Sequence, residues 1–244
     1  MSTDPLRAVP VLVPDAGPRL DYYLVLPPLG DRDAATTVDG IVIEEFTRHH
    51  DFTTTGLDSA GWTPKAGWCS SAALSRGMRA DPEVLARVVP TSRREAETVY
   101  RALGGEQLPD EWVLRTRFLD HQPIATAPPL RLGPAQAPAG FHERRVYCVL
   151  FAGDLRAEQV ASLRTAWRTP AGGTSTAAAS GRLDRGADQI TWDLRRVGGS
   201  LGWGLDVTVL LSTDAAEAVG STLTDLTNVL REHCLIPVTT ERFS

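Results

Sequence analysis

The only lysine of the chain, Lys65, lies between two tryptophans, Trp62 and Trp68, and directly follows Pro64. If this segment folds over a pocket, the two indole rings would desolvate the ammonium group, the environment in which a lysine acts as a nucleophile or a base. If the segment stays open, Lys65 is a solvated charge and the rings provide the contacts. We favour the open arrangement, because no acid, base or orienting partner stands beside Lys65 in the sequence.

The tryptophans themselves are candidates for binding a ligand or a partner. Trp62 and Trp68 flank a polar segment, and Trp203 lies in the glycine-rich stretch 198–204. Tryptophan gives a large contact area for little loss of conformational entropy, and it recurs at binding surfaces for this reason. The alternative is that Trp62 and Trp68 cover the edge of the core.

Two adjacent histidines, His49 and His50, come at the end of a predicted helix over residues 33–49. A histidine at that position meets the negative end of the helix dipole, which favours a structural role. The alternative role is that of a general base or a metal ligand.

Several common catalytic and cofactor-binding motifs are missing from the sequence. It has no GxxxxGK[ST] loop, no GxGxxG loop opening a helix, no GxSxG elbow and no HExxH helix. The three cysteines, Cys69, Cys148 and Cys234, are odd in number and far apart, which argues against a disulfide framework and a zinc site. The sequence therefore predicts neither a metal nor a nucleotide cofactor.

Composition and charge argue against two classes of partner. The net charge of −5 does not favour a polyanion, and the predicted strand 205–209 lacks the aromatic residues with which related sheets stack RNA bases. No apolar run approaches the roughly 20 residues that span a bilayer. The first five residues also lack the basic and apolar pattern of a signal peptide. We expect a cytoplasmic protein that binds neither nucleic acid nor membrane.

The pattern of the C-terminal half, residues 141–244, predicts a ferredoxin-like βαββαβ unit. A short apolar strand at 146–151 precedes an amphipathic helix at about 155–168. Two alternating runs around the glycine-rich stretch then predict a hairpin, while the residues between the helix and this hairpin, 170–188, are predicted to be a loop. Asp214 and Glu217 have the spacing of a capping box, so a second helix should follow, and a last strand should end the chain.

The N-terminal half, residues 1–120, is a weaker α+β pattern that could be a decorated second ferredoxin-like unit. A strand is predicted at 21–26, helices are predicted after Pro82 and Ser92, and a strand is predicted at 111–119. Residues 121–140 contain five prolines among alanines, which is typical of an extended linker between the halves.

Two functions fit these patterns. The first is a small-molecule tailoring enzyme or ligand-binding protein with an apolar pocket and no cofactor, for which a closed cavity holding His49 or His50 would argue. The second is a non-catalytic protein–protein interaction module, acting on a partner or as a homodimer. Flat sheets with solvent-exposed Trp62, Trp68 and Trp203 would argue for this second function.

Overall fold

Two antiparallel β-sheets, one from each half of the sequence, form the frame of a mixed α+β fold. The computed structural model describes residues 19–28, 38–125, 136–169, 177–198, 202–214 and 216–243. The division into halves of 1–120 and 141–244 with a linker at 121–140 stays a prediction. The start of that linker pairs with the first sheet, and residues 126–135 lie outside the described residues.

The first sheet has the strand order β4-β3-β2-β1-β5, and the short β6 pairs with the outer edge of β3 next to β4. Its strands are β1 (Asp21–Val25), β2 (Gly40–Arg48), β3 (Thr54–Thr63), β4 (Gly67–Ser70), β5 (Val88–Thr91) and β6 (Gln122–Pro123). Four helices accompany it: α1 (Ala72–Ala80), α2 (Pro82–Leu85), α3 (Arg93–Ala102) and α4 (Glu111–Arg115).

Alternation of side chains gives this sheet two buried faces. Ile41, Ile43 and Trp62 point to the face covered by α3 and α4, where they form one apolar cluster. Val42 points to the opposite face and packs with Met78 of α1. The sheet is therefore a central layer with helices on both sides.

Some local predictions for the N-terminal half are confirmed and others are wrong. The strand at 21–25 and the Ser92–Glu95 capping box are present. The predicted helix over 33–49 is wrong from residue 40 onward, where β2 begins, because the β-branched run 41–43 pairs with strands on both sides. Its start, residues 33–37, lies outside the described residues. The predicted strand at 111–119 is also wrong, since residues 111–115 form α4.

The second sheet has the strand order β11-β7-β10-β9-β8. Its strands are β7 (Glu143–Ala152), β8 (Ala179–Arg185), β9 (Asp188–Arg196), β10 (Gly202–Leu211) and β11 (Ile236–Arg242). The helices α5 (Ala157–Ala166) and α6 (Glu217–Glu232) share one apolar core with this sheet, as predicted. The strand β8 lies in the stretch that was predicted to be a loop. The N-cap of α6 is Ala216, not Asp214, and Asp214 instead pairs with His142 Nε2 at 2.6 Å.

The two halves of the chain share buried contacts. Ile236 of β11 packs with Tyr23 and Val42 of the first sheet. The Thr240 amide donates to Thr54 Oγ1 at 3.0 Å in a buried hydrogen bond. Phe52, in the turn between β2 and β3, reaches the second half and lies edge-on to the Tyr147 ring. Apolar and polar groups therefore both join the sheets.

A buried ion pair between Glu44 of β2 and Arg79 of α1 lies at this junction. Arg79 donates to both carboxylate oxygens at 3.0 and 2.7 Å, and Glu44 is fully buried. The guanidinium also donates to the backbone carbonyls of Ser75 at 2.7 Å and Pro237 at 2.9 Å. Burial opposes the charged form of Arg79, but the Glu44 carboxylate outweighs it, and the pKa of Arg79 is raised.

Glu44→Gln removes the charge that balances buried Arg79. We expect it to lower the free energy of unfolding by about 3–5 kcal/mol, because an unpaired charge then remains in the interior. Urea denaturation measures the change. Glu97→Gln is the matched control, because it breaks the exposed pair of Glu97 with Arg101 and should cost less than about 1 kcal/mol. Equal losses in the two variants would contradict the structural importance of the buried pair.

Cys148 should be inert to thiol reagents in the folded protein. Burial, and secondarily the nearby Asp206 carboxylate, raises the pKa of the Cys148 thiol to about 12, and the residue is 4% exposed. At pH 8 only roughly one thiol in ten thousand is then a thiolate, against roughly a quarter for an unperturbed cysteine. We expect Ellman's reagent to label exposed Cys234 rapidly and Cys148 only after denaturation. Half-buried Cys69 should react at an intermediate rate. The fastest phase should vanish in Cys234→Ser; its loss in Cys148→Ser would contradict the burial of this thiol.

Candidate functional site

A cleft of about 450 Å³ opens between α1 and the edge of the first sheet. One wall is α1, through Ala72, Ser75 and Arg76, and the other is Leu57 of β3 together with residues 120–124. This volume lies within the range of about 300–1,000 Å³ that is usual for small-molecule sites. We call this feature the α1 cleft.

The pairing of β6 with β3 decides which side chains face the α1 cleft. Leu57 lies opposite Gln122 and Gly56 lies opposite Pro123. Successive side chains of a strand point to opposite faces. Leu57 is on the face that α1 covers, so its partner Gln122 is on that face too. Asp120 and Ile124, two residues before and after Gln122, also line the cleft.

The side chain of His121 is on the opposite face of the strand from that of Gln122, and its ring lies against Gly56. A Cβ atom on Gly56 would stand 2.3 Å from His121 Cε1, so only glycine leaves room for the ring. The Nδ1 atom lies 3.0 and 3.2 Å from the two carboxylate oxygens of Asp58. A carboxylate on Nδ1 orients an imidazole so that Nε2 can accept a proton. Sequence reasoning missed this pair, whose members are 63 residues apart.

Two buried polar groups at the α1 cleft have no hydrogen-bond partner among the described residues. They are the hydroxyl of Ser75, a fully buried residue, and the Nε2 atom of Gln122. A buried donor without a partner costs about 1–3 kcal/mol. The described residues contain nine other such atoms, so what distinguishes these two groups is that both residues line the cleft.

Charges of both signs line the cleft. Arg76 is exposed and makes no ion pair within the described part of the chain. Asp120 accepts a short hydrogen bond from Ser70 Oγ. The cleft therefore combines an unpaired guanidinium and two unpaired hydrogen-bonding groups with the apolar surfaces of Leu57, Ala72 and Ile124.

The predicted candidates His49 and His50 lie outside the α1 cleft. Both are exposed at the turn after β2, with ring centroids 4.0 Å apart, and His49 Nδ1 is 3.6 Å from Asp51 Oδ1. The expected contact with the end of a helix is wrong, because these residues follow a strand. The structure therefore does not bring these histidines together with the residues that line the cleft.

The Trp62–Trp68 segment is a β-hairpin between β3 and β4. Lys65 is exposed at its turn, as the open arrangement requires. Trp62 is buried, with its ring centroid 4.4 Å from that of Tyr100, and half-buried Trp68 stacks on the same tyrosine at 6.1 Å. These rings cover the edge of the core below α3.

Trp203 was expected to be exposed, and this expectation is wrong. The residue is 4% exposed within β10, in the core of the second half. The Arg196 guanidinium lies 5.1 Å from its ring centroid and covers it. A role in binding for Trp62, Trp68 or Trp203 stays a prediction.

The described ranges contain neither a candidate membrane-spanning helix nor a candidate metal centre. Within them, no helix has the length and apolarity needed to cross a membrane. Nor do those ranges contain a group of three or more His, Cys, Asp and Glu side chains arranged to hold a metal ion. The cytoplasmic location and the absence of a cofactor stay predictions.

Comparison of the chain with protein-family models, curated proteins and solved structures gave no match.

Ser75→Ala tests whether the hydroxyl of Ser75 is unsatisfied. Removing a buried donor without a partner should raise the free energy of unfolding of the free protein by about 1–2 kcal/mol. Ser221→Ala on α6 is the control, because the exposed Ser221 hydroxyl has partners: it donates to the Ala218 carbonyl at 3.1 Å and accepts from Arg185 at 3.2 Å. Both substitutions gain similar helix propensity. A loss of stability in Ser75→Ala, measured by urea denaturation, would mean that the hydroxyl is satisfied in the native state.

Proposed function

We propose that this protein binds a small organic molecule in the α1 cleft. The observation that carries the proposal is the pair of unpartnered buried groups, Ser75 Oγ and Gln122 Nε2, at the walls of a cleft of suitable volume. A ligand that hydrogen-bonds to both would remove their desolvation cost. Leu57, Ala72 and Ile124 would contact its apolar part.

If the protein also acts on the molecule that it binds, it would be a cofactor-independent tailoring enzyme with its active site in the α1 cleft. The carboxylate that lines the cleft is that of Asp120, and it would be the group placed to exchange a proton with a bound molecule. His121 lines the cleft, but its ring lies against Gly56 and its Nδ1 atom is paired with Asp58, so the pair supports this wall of the cleft. The geometry supports binding more directly than catalysis.

We also propose that residues 141–244 form a ferredoxin-like unit with one added strand. The strands β7, β9, β10 and β11 occur in the chain order 1, 2, 3, 4 and in the spatial order 4-1-3-2, with α5 after the first and α6 after the third. This arrangement supports the assignment. The added strand β8 extends the sheet beyond β9.

The second candidate function is a protein–protein interaction module, including a homodimer. Trp112 of α4 is 66% exposed and Leu119 is 69% exposed. Tryptophan is enriched at protein–protein contact surfaces relative to the rest of the surface. This observation favours a partner surface at α4 rather than at Trp62, Trp68 or Trp203.

Gln122→Leu tests the binding function. A library of neutral, anionic and cationic metabolites is screened by saturation-transfer NMR, and dissociation constants are measured for the molecules that bind. Loss of one hydrogen bond should weaken binding by about 5–10-fold. Gln107→Leu is the control, because exposed Gln107 lies outside the cleft.

No binding of any molecule, or equal affinities for wild type and Gln122→Leu, would contradict the proposal. Binding that Trp112→Ala abolishes and Gln122→Leu leaves unchanged would instead place the functional surface at α4.

A further inference from the structure

The strand β8 is the open edge of the second sheet. It pairs on one side with β9, and among the described residues no strand pairs with its other side. The opposite edge strand, β11, lies against the first sheet, where the Thr240 amide donates to Thr54 in a buried hydrogen bond. Proline and β-bulges commonly prevent an edge from pairing with another chain, and β8 has neither. Its charged residues therefore decide what can pair there.

The outer side of β8 presents backbone groups that are free to pair. Ser180 faces away from β9, since its amide donates to Thr169 Oγ1 at 3.0 Å and its carbonyl accepts from the same hydroxyl at 2.8 Å. Alternate residues of an antiparallel strand direct their backbone groups to the same side, so the amides and carbonyls of Arg182 and Asp184 also face away. No described residue outside the sheet bonds to these groups.

The side chains of the same two residues carry opposite charges. Arg182 and Asp184 are exposed, and Arg182 Nε lies 3.0 Å from Asp184 Oδ1. Leu183, between them, points to the other face of the sheet and packs against the apolar core. The edge is thus positive on one side of Leu183 and negative on the other.

Two such edges match each other about a two-fold axis at Leu183. An antiparallel pair centred there places Arg182 of each copy opposite Asp184 of the other, and every outward amide meets a carbonyl of the other copy. Opposite charges stabilise directly opposed cross-strand residues, and like charges destabilise them. A shift of two residues in either direction would place Arg182 opposite Arg182, or Asp184 opposite Asp184. The charges therefore favour one register, and that register requires a second copy of this chain.

We infer that this protein forms a symmetric homodimer in which the β8 strands of two copies pair antiparallel about Leu183, so that their second sheets become one continuous sheet. The backbone hydrogen bonds provide the attraction, and the Arg182–Asp184 pairs specify the register and the partner. The interface involves neither the α1 cleft nor α4, so it is independent of both proposed functions.

The length of the pairing predicts how strong this dimer is. Ser180 is already bonded to Thr169, and the hairpin turn to β9 begins after Arg185, so only residues 182–184 of each copy can pair. Interfaces that bury a small area are typical of weak complexes. We therefore expect a dimer whose population rises with protein concentration.

Sedimentation velocity of the full chain at rising protein concentration measures the association. The wild type should pass from monomer to dimer. Asp184→Arg and Arg182→Asp each place like charges opposite each other twice in the dimer, and each should weaken self-association by at least about 10-fold. Glu232→Arg, at an exposed residue at the end of α6, has the same charge change as Asp184→Arg and should leave the association unchanged.

A mixture of the two β8 variants gives a stricter test. In a mixed dimer, both arginines of the Asp184→Arg chain lie opposite acidic residues of the Arg182→Asp chain, so the variants should associate with each other although neither associates with itself. Both chains keep a net negative charge, so general attraction does not account for such a rescue. Equal thermal melts establish that each variant is folded.

A wild type that stays monomeric at every concentration would overturn the inference, and so would a dimer that both β8 variants leave intact. If Trp112→Ala dissociates that dimer, the interface lies at α4 instead. A monomer whose Arg182 and Asp184 amides exchange slowly with deuterium would mean that another segment of the same chain occupies the edge, which also overturns the inference.

Discussion

The bidentate ion pair between Glu44 and Arg79 is the interaction on which the arrangement of the molecule depends. The carboxylate is fully buried on the first sheet, and the guanidinium also holds the carbonyl of Pro237 in the second sheet. A buried charge is tolerated only with a well-placed partner, so neither side chain can turn away without a large cost. Because Arg79 belongs to α1 and Glu44 to β2, the same pair fixes the helix that forms one wall of the α1 cleft.

A second ionic contact acts beside it. Arg231 of α6 lies 2.7 Å from Asp21 of β1 and donates to the Tyr22 carbonyl at 3.2 Å. Burial raises the pKa of Asp21, and the neighbouring Arg231 opposes that rise. The guanidinium groups of Arg79 and Arg231 also lie over the rings of Phe46 and Tyr23, respectively. Directional contacts of this kind fix the alignment of the two sheets more narrowly than apolar packing alone does.

The α1 cleft follows from how α1 sits on this frame. Helix and strand approach closely where their residues are small: a Cβ on Gly61 would stand 3.3 Å from the Cβ of Ser71. Small serine side chains leave space at the edge of the sheet and leave hydroxyls without protein partners. A core of larger apolar residues would be more stable and would have no cleft. The unsatisfied groups lower the stability locally, and the ion pairs and the three apolar clusters offset this loss. A ligand that accepts hydrogen bonds from these groups would recover the lost free energy.

The sequence by itself determined most elements of the C-terminal half and several of the N-terminal half, because strand alternation and helix capping depend on residues close in the chain. The β10 alternation, the α6 stripe and the Ser92–Glu95 capping box are of this kind. Residues 40–48 were wrongly predicted to be helical, because Val42 and Phe46 also have helical spacing. Only the pairing with β1 and β3 makes this segment a strand. Tertiary structure alone decided the burial of Trp203, the pairing of His121 with Asp58 and the orphaned hydroxyl of Ser75. Each of these features depends on which strand or helix, distant in the chain, packs beside the residue. The spacing of residues close in the sequence contains no information about such contacts.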